Sequence, residues 1–132
     1  MDQQAAAIPF CRRENGVFVC LIRRRDATFW GIPKGFVDPG DTREETALNE
    51  AWEEAGLRGQ LLGEAIGTYQ YVKFRGRLTV AVYVMEVLTE EPAWPEARLR
   101  ERRWFRMDEA VTLLAGHPVN PLLARAAALV SS

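Results

Sequence analysis

The 132-residue chain is poor in the side chains on which most small-protein chemistry rests. It has one histidine, His117, and two cysteines, Cys11 and Cys20. A zinc site of His and Cys ligands, or a Ser-His-Asp triad, needs more partners than that. His117 sits in Gly116-His117-Pro118, which reads as a surface turn. Both cysteines fall in apolar, strand-like runs and read as small buried hydrophobes in a reducing compartment. No apolar run approaches the roughly 18 residues of a membrane span. Met1-Asp2-Gln3-Gln4 lacks the basic start and apolar stretch of a secretory leader, so a cytoplasmic location is expected. An excess of either charge is missing too: the formal net charge is -1, which gives no general pull toward nucleic acid. Lysine is scarce, because of the 17 basic residues only Lys34 and Lys73 are not arginine. Any chemistry here must come from carboxylates, arginines, lysines and bound ions.

What the chain does have is an average globular composition, with 48% hydrophobic and 27% charged residues. At this length a real core forms without disulfides, and one domain over residues 1–132 is expected. There is no internal repeat, low-complexity segment or linker. Ala5 to Cys11 and Val17 to Ile22 read as strands joined at Asn15-Gly16, a hairpin turn signal. Gly31 to Asp41 holds three glycines and two prolines and reads as a shaped loop. Thr42 to Ala55 reads as a helix, with Thr42 and Glu45 as a capping box and Gly56 at its stop. Leu61 to Tyr71 and Leu78 to Leu88 are β-rich runs joined by a turn over Val72 to Arg77. Val80, Val82 and Val84 alternate with Ala81, Tyr83 and Met85, so both faces of that strand are expected to be covered. Thr89 to Leu99 reads as a loop and Arg100 to Arg106 as a strand. Met107 to Ala115 reads as a helix capped by Asp108, and Pro121 to Val130 as a last, alanine-rich helix. Strands before, between and after helices point to an α/β fold with one mixed sheet and helices packed on it.

The charges are not evenly spread. Seven acids lie between Asp38 and Glu54 against a lone Arg43, and five arginines between Arg98 and Arg106 against a lone Glu101. At about 100° per residue, Ala47, Ala51, Ala55, Leu48 and Trp52 share one side of the Thr42–Ala55 helix, and Glu50, Glu53 and Glu54 the other. An amphipathic helix with a solvated acidic side accounts for that pattern. Three details argue for more. Glu50 and Glu54 are an i,i+4 pair of like charge with Glu53 beside them, which costs a few tenths of a kcal/mol when unpaired. Carboxylates at this spacing suit a hard divalent cation such as Mg²⁺ or Mn²⁺. The glycine-bearing loop ends where the helix begins, beside the positive end of its dipole, and glycine lets backbone approach a phosphate closely.

Gly35-Phe36-Val37-Asp38-Pro39-Gly40-Asp41 through Glu50-Ala51-Trp52-Glu53-Glu54-Ala55-Gly56-Leu57 resembles the Nudix box, G-x5-E-x7-R-E-U-x-E-E-x-G-U with U a bulky aliphatic. Gly35, Glu50, Glu53, Glu54, Gly56 and Leu57 match at the family spacing, and Trp30 to Lys34 resembles the usual approach to the box. The resemblance extends over nearly the whole chain. It implies an α/β/α sandwich around a central mixed β-sheet. It also implies a metal-dependent hydrolase of phosphoanhydrides, using Mg²⁺ or Mn²⁺. Glu50, Glu53 and Glu54 would be the metal ligands, with the Lys34 carbonyl oxygen as a further one. Glu54 would be the general base, supported by Glu53, and Gly35 part of the substrate site. Three positions depart: Asp41 stands for the family's Glu, Asn49 for its Arg and Ala51 for a larger aliphatic. In the family that Arg and Glu brace the catalytic loop and helix. These departures are the basis for a competing reading as a catalytically weak ligand-sensing or scaffold module.

The second half, with Glu86-Val87-Leu88, Arg100 to Phe105, Asp108-Glu109-Ala110 and His117-Pro118-Val119, is similar to the branch that hydrolyses diphosphoinositol polyphosphates and diadenosine polyphosphates. An RNA 5′-end or mononucleotide pyrophosphohydrolase is the alternative within the family. A small phosphorylated substrate is therefore the expected partner, with no membrane and no nucleic acid beyond an RNA 5′ end. Arginine forks suit polyphosphate. Clusters occur at Arg23-Arg24-Arg25, at Lys73, Arg75 and Arg77, and at Arg98 to Arg103. By resemblance, Arg25, Arg77 and Arg100 are the phosphate contacts. Glu96, Glu101 and Glu91 are alternatives to Glu54 as the base. Trp30, Phe36, Tyr69, Tyr71 and Trp94 are candidates for stacking on a nucleobase or, equally, for the core.

Overall fold

The computed structural model describes residues 2–73 and 76–131. β1 (Asp2–Arg13) and β2 (Gly16–Arg24) form the first hairpin, with Arg13 opposite Gly16. The turn residues are Glu14 and Asn15, one step earlier than the Asn-Gly pair, and Gly16, at φ 136°, opens β2. The glycine- and proline-rich loop is not irregular throughout. Its Lys34–Phe36 forms a short strand, β3, antiparallel to β1.

The helix α1 (Arg43–Ala55) begins as its sequence requires. The Thr42 hydroxyl accepts the Glu45 amide at 3.0 Å, and the Glu45 carboxylate accepts the Thr42 amide at 2.8 Å. It ends at Gly56, in the left-handed region at φ 68°. The expected Leu61–Tyr71 run divides into β4 (Leu57–Leu61) and β5 (Gly67–Lys73), because the chain turns through Gly63 at φ 69°. β6 (Gly76–Glu90) runs two residues further than its apolar stretch, and β7 (Arg100–Arg106) follows. Lys73 pairs with Gly76 across the β5–β6 hairpin; Arg75, expected in a basic cluster there, lies outside the described residues. α2 (Met107–Leu113) is not capped by Asp108. Its N-cap is Arg106, whose amide donates to the Glu109 carboxylate at 3.2 Å, while Asp108 accepts the Glu109 amide. α3 (Asn120–Val130) closes the fold, with Pro121 in its first turn.

The central strand order is β4-β6-β1-β2-β7, with β3 added to β1 and β5 to β6. β1 and β6 are parallel and the other pairings antiparallel, so the sheet is mixed. The alternation in β6 sorts the two cores. Val80, Val82 and Val84 pack with Met107, Ala110, Leu122, Leu123 and Ala126 of α2 and α3. Ala81, Tyr83 and Met85 pack with Ala47, Ala51 and Ala55 of α1. The result is an α/β/α sandwich. On the α1 face the contacts are small: Ala5 and Ala7 of β1 meet the three alanines, so the helix lies close to the sheet. Ala51, where the family pattern has a larger aliphatic, is fully buried among them.

Gly56 is the joint between α1 and β4. A Cβ there would lie 2.6 Å from Arg102 Nη1 and 2.9 Å from Trp94 Cβ, and the left-handed backbone adds about 1–2 kcal/mol for a non-glycine residue. Gly56→Ala is expected to lower unfolding free energy by about 2 kcal/mol or more, measured by urea denaturation. A loss below about 0.5 kcal/mol would mean that Arg102 and Trp94 yield freely.

Candidate active site

The last turn of a helix leaves its carbonyls without intrahelical donors. In α1 each one is met from outside. The Gly56 amide donates to Trp52 O at 2.9 Å and the Glu96 amide to Glu53 O at 3.0 Å. Trp94 Nε1 donates to Glu54 O at 3.1 Å, and Arg102 Nη1 to Ala55 O at 2.9 Å. The Arg102 guanidinium also lies 4.0 Å over the Trp94 ring. The loop between β6 and β7 is therefore clamped onto the C-terminal end of α1, and it carries Glu96 and Arg100 with it.

Glu53 and Glu54 in that turn, and Glu50 one turn earlier, lie toward the negative end of the helix dipole, and no basic residue of the last turn offsets them. Each unfavourable placement costs about 0.3–1 kcal/mol. The expected solvated acidic side is not what forms. Glu53 is exposed and Glu50 half-buried, but Glu54 is only 6% exposed. Glu54 Oε1 accepts the backbone amide of Lys34 at 3.0 Å, and its Oε2 accepts Arg100 Nη2 at 2.9 Å. Arg100 Nε donates at 2.7 Å to Glu96, so the arginine bridges two carboxylates. Gly35 lies against Glu50: a Cβ on it would fall 2.4 Å from the carboxyl carbon. The loop glycine thus makes room for a carboxylate of the helix's last turns. Lys34 and Gly35 meet this end of α1, not its positive N-terminus. On either side of β3, the Val37 amide donates to Gln3 O and Pro33 O accepts from the Ala7 amide. By strand alternation the Lys34 amide and carbonyl both point away from β1, toward the side where Glu54 lies.

Burial sets the acidities. Desolvation first, then the charges of Glu54, Glu53 and Glu96, push Glu50 up to about 8. Desolvation pushes Glu54 up to about 7, against the opposing pull of Arg100 and the Lys34 amide. Two carboxyls poised near neutrality, with hard oxygen donors and uncompensated negative potential, fit a divalent cation in charge and chemistry. Among the described residues no three acidic side chains already converge at ligand distance. Arg100 stands between Glu54 and Glu96 instead.

The remaining candidates are dispersed. Arg25 donates through Nε and Nη2 to Ala97 O, at 3.2 and 2.9 Å, and so holds the β6–β7 loop. Arg77 is exposed at the far end of the β5–β6 hairpin. Arg23 pairs with Glu101, which takes that carboxylate away from Glu54. The Glu91 amide donates to Gly56 O. Trp30 and Tyr69 belong to the core on the α2–α3 side, Phe36 is exposed, and Trp94 holds the helix end. Tyr71 donates to Gln4 Oε1 at 2.7 Å and accepts Lys34 Nζ at 3.0 Å. His117 is half-buried rather than a surface residue, edge-on to Tyr69. Asp41 and Asn49 are both exposed, and no hydrogen bond or ion pair joins them. The clamps by Trp94 and Arg102 carried no local signal, since they come from residues some 40 positions away.

Two outcomes test this geometry. Both raised carboxyls bind protons more tightly in the folded chain than at the ordinary value of 4.5. Their contribution to stability is then complete below that value and is lost as pH rises through about 7 and 8. In chelator, the melting temperature is expected to fall from pH 5 to pH 9, and Mg²⁺ to restore it most at the alkaline end. A flat profile would contradict the burial of the pair. Gly35→Ala is expected to weaken Mg²⁺ or Mn²⁺ binding at least about 10-fold by calorimetry, because Glu50 must move; unchanged affinity would remove Glu50 from the site.

The NUDIX domain family model matches residues 1–126. Nudix hydrolase 4 of Arabidopsis thaliana is 40% identical over 81 residues, covering 60% of this chain and 39% of that protein. Diphosphoinositol polyphosphate phosphohydrolase 3-alpha of Mus musculus is 26% identical over 117 residues, 87% of this chain and 70% of that one. A crystal structure of a C. elegans Ap4A hydrolase binary complex superposes with a TM-score of 0.85 over 98% of both chains at 17% identity, a likeness of fold. The chain spans between 39% and 59% of the length of the Arabidopsis relatives. With the family model running from β1 into α3, and with the box glycine and glutamates brought together at the end of α1, this chain belongs to the Nudix hydrolase family.

Proposed function

We propose that this chain is a metal-dependent pyrophosphohydrolase. It would cleave a phosphoanhydride bond in a nucleoside-diphosphate-linked or polyphosphorylated compound, of the diadenosine polyphosphate or diphosphoinositol polyphosphate type. The observation that carries this reading is the burial of Glu54 beside Glu50 and Glu96, with Gly35 shaped to admit the Glu50 carboxylate. A structural role would place small or basic groups at this helix end, not three carboxylates. The names of the mouse phosphohydrolase and the C. elegans Ap4A hydrolase point the same way.

Glu50, Glu53 and Glu54, with the Lys34 carbonyl, are the groups proposed to hold Mg²⁺ or Mn²⁺. When bound, such an ion neutralises phosphate oxygens and acidifies water. Glu54, pushed up to about 7, is matched to accept a proton from the attacking water near neutral pH. Arg100 already touches that carboxylate, and beside the reacting water it would offset the negative charge on the oxygens of the transferred phosphoryl group. Phosphoryl transfer rests on positioning and charge neutralisation, which these groups supply without covalent chemistry. The missing Asp41–Asn49 brace is offset by the Trp94, Glu96 and Arg102 clamps on α1. No helix among the described residues is long and apolar enough to cross a membrane. A cytoplasmic location, expected from the cysteines and the chain's first residues, is part of the proposal.

Glu54→Gln is expected to lower Mg²⁺-dependent kcat on diadenosine polyphosphates at least about 100-fold with little change in KM. Nucleotide products should accumulate only with added Mg²⁺ in the wild type, because cleaving one anhydride of a diadenosine polyphosphate frees two nucleotides and no inorganic phosphate. Hydrolysis that persists in chelator, or an unaffected variant, would overturn the reading. Tight binding of a phosphorylated compound with no turnover would favour the sensing module.

A further inference from the structure

Arg100 holds two carboxylates of the acidic cluster at once. Its Nη2 lies 2.9 Å from Glu54 Oε2 and its Nε 2.7 Å from Glu96 Oε1. Glu54 cannot take a divalent cation while that bridge stands unchanged. Its two oxygens are held in different ways. Oε1 accepts the Lys34 amide, whose place is set by the pairing of β3 with β1. Oε2 is held by a long side chain with several rotatable bonds. Each oxygen keeps a further lone pair, so the obstacle is not a shortage of lone pairs. The obstacle is charge. A guanidinium and a divalent cation on one carboxylate repel each other, most of all where water is excluded, and Glu54 is 6% exposed.

The backbone beneath Arg100 does not depend on the bridge. The Arg100 amide donates to Glu96 O at 3.0 Å, and the Leu99 amide to the same oxygen at 2.9 Å. The Glu96 amide is fixed to Glu53 O at the end of α1. Arg25 holds Ala97 O through its guanidinium and Leu99 O through its own amide. From Arg100 onward β7 is paired with β2, beginning opposite Arg24. None of these bonds uses the Arg100 guanidinium. The side chain is 22% exposed, so it turns toward solvent without unzipping the loop or the strand. Its position also explains why three acidic side chains do not already converge at ligand distance among the described residues: the arginine stands between two of them. Glu101, the next acid along β7, is taken by Arg23 and offers no second home. A guanidinium fork fits phosphate oxygens as well as it fits a carboxylate.

We propose that Arg100 is a displaceable counterion that makes cation binding and phosphate binding depend on each other. It competes with a divalent cation for Glu54. Once displaced, it turns to the phosphate oxygens of the substrate. Cation alone, or phosphate alone, must break the Arg100 bridge; together they break it only once. The coupling is therefore favourable and reciprocal. The chain resists loading with metal by itself and takes metal and substrate as a pair. This rests on reading the acidic cluster as the cleaving site.

The test is calorimetry at about pH 8.5, where protons compete least for the carboxylates, on the wild type and Arg100→Ala. The probes are Mg²⁺ alone, and methylenediphosphonate, an uncleavable mimic of a phosphoanhydride, in saturating Mg²⁺. Arg100→Ala is expected to bind Mg²⁺ alone at least about 5-fold tighter, and methylenediphosphonate at least about 10-fold weaker. An arginine that only braced Glu54 would give weaker Mg²⁺ binding in the variant. An arginine that only met phosphate would leave Mg²⁺ binding unchanged. Either result would overturn the proposal. The wild type supplies a measurement that needs no variant to fold. Proton exchange at the Arg100 Nε–H, followed by nitrogen-15 NMR, is expected to quicken at least about 10-fold when Mg²⁺ alone is added, because the bond to Glu96 is lost. Unchanged exchange in saturating Mg²⁺ would also overturn it. Hydrolysis of a diadenosine polyphosphate measured alongside separates the two readings. Turnover with a Mg²⁺ affinity indifferent to Arg100→Ala rejects only the counterion. Release of Arg100 by Mg²⁺ without turnover of any compound rejects only the hydrolase.

Discussion

The Glu54 carboxylate, buried between the Lys34 amide and the Arg100 guanidinium, is the point on which the rest of the site is built. A carboxylate taken out of water must be compensated, and here the partners come from three separate parts of the chain. β3 supplies an amide, the edge strand β7 an arginine, and α1 the acid itself. Bringing them together needs the helix close to the sheet, which the alanines of α1 and β1 allow. It also needs the helix end fixed. Trp94, Glu96 and Arg102 do that by taking the last free carbonyls.

The arrangement runs against several local preferences at once. Acids occupy the wrong end of a helix dipole, like charges sit at i,i+4, and the two inner carboxyls are pushed toward neutrality. Such conflicts are tolerated where a ligand relieves them. The fold offsets the cost with Arg100, and with a capping box and a left-handed glycine at the two ends of α1. β3 then separates two environments. One is acidic and suited to cations and phosphates; the other is aromatic and nearly neutral. Lys34 connects them, since its backbone serves one and its ammonium the other.

Much of this was legible in the residues. The capping box, the Gly56 stop, the β6 alternation and the bounds of β7 follow from local rules that the tertiary structure does not disturb. Where local reading went astray, long-range pairing was the reason. Lys34–Phe36 becomes a strand only because β1 offers an edge, and Arg106 replaces Asp108 as N-cap because β7 runs directly into α2. Arg25 resembles a phosphate contact in sequence but is occupied by the carbonyl of Ala97, 72 positions away.

The sequence by itself determined α1 with both its ends, the alternation of β6, the bounds of β7 and the set of carboxylates, because periodicity, capping and box spacing are short-range properties. It could not determine which glutamate is buried. An ideal helix places Glu50, Glu53 and Glu54 on one side, and only the packing of β3 and β7 against that side makes Glu54 buried, Glu50 half-buried and Glu53 exposed. Nor could it show that Tyr69 and His117 share a cleft with Lys34, since that follows from the order of strands in the sheet. Burial and charge compensation are properties of the assembled chain, and they separate three similar glutamates into different chemical roles.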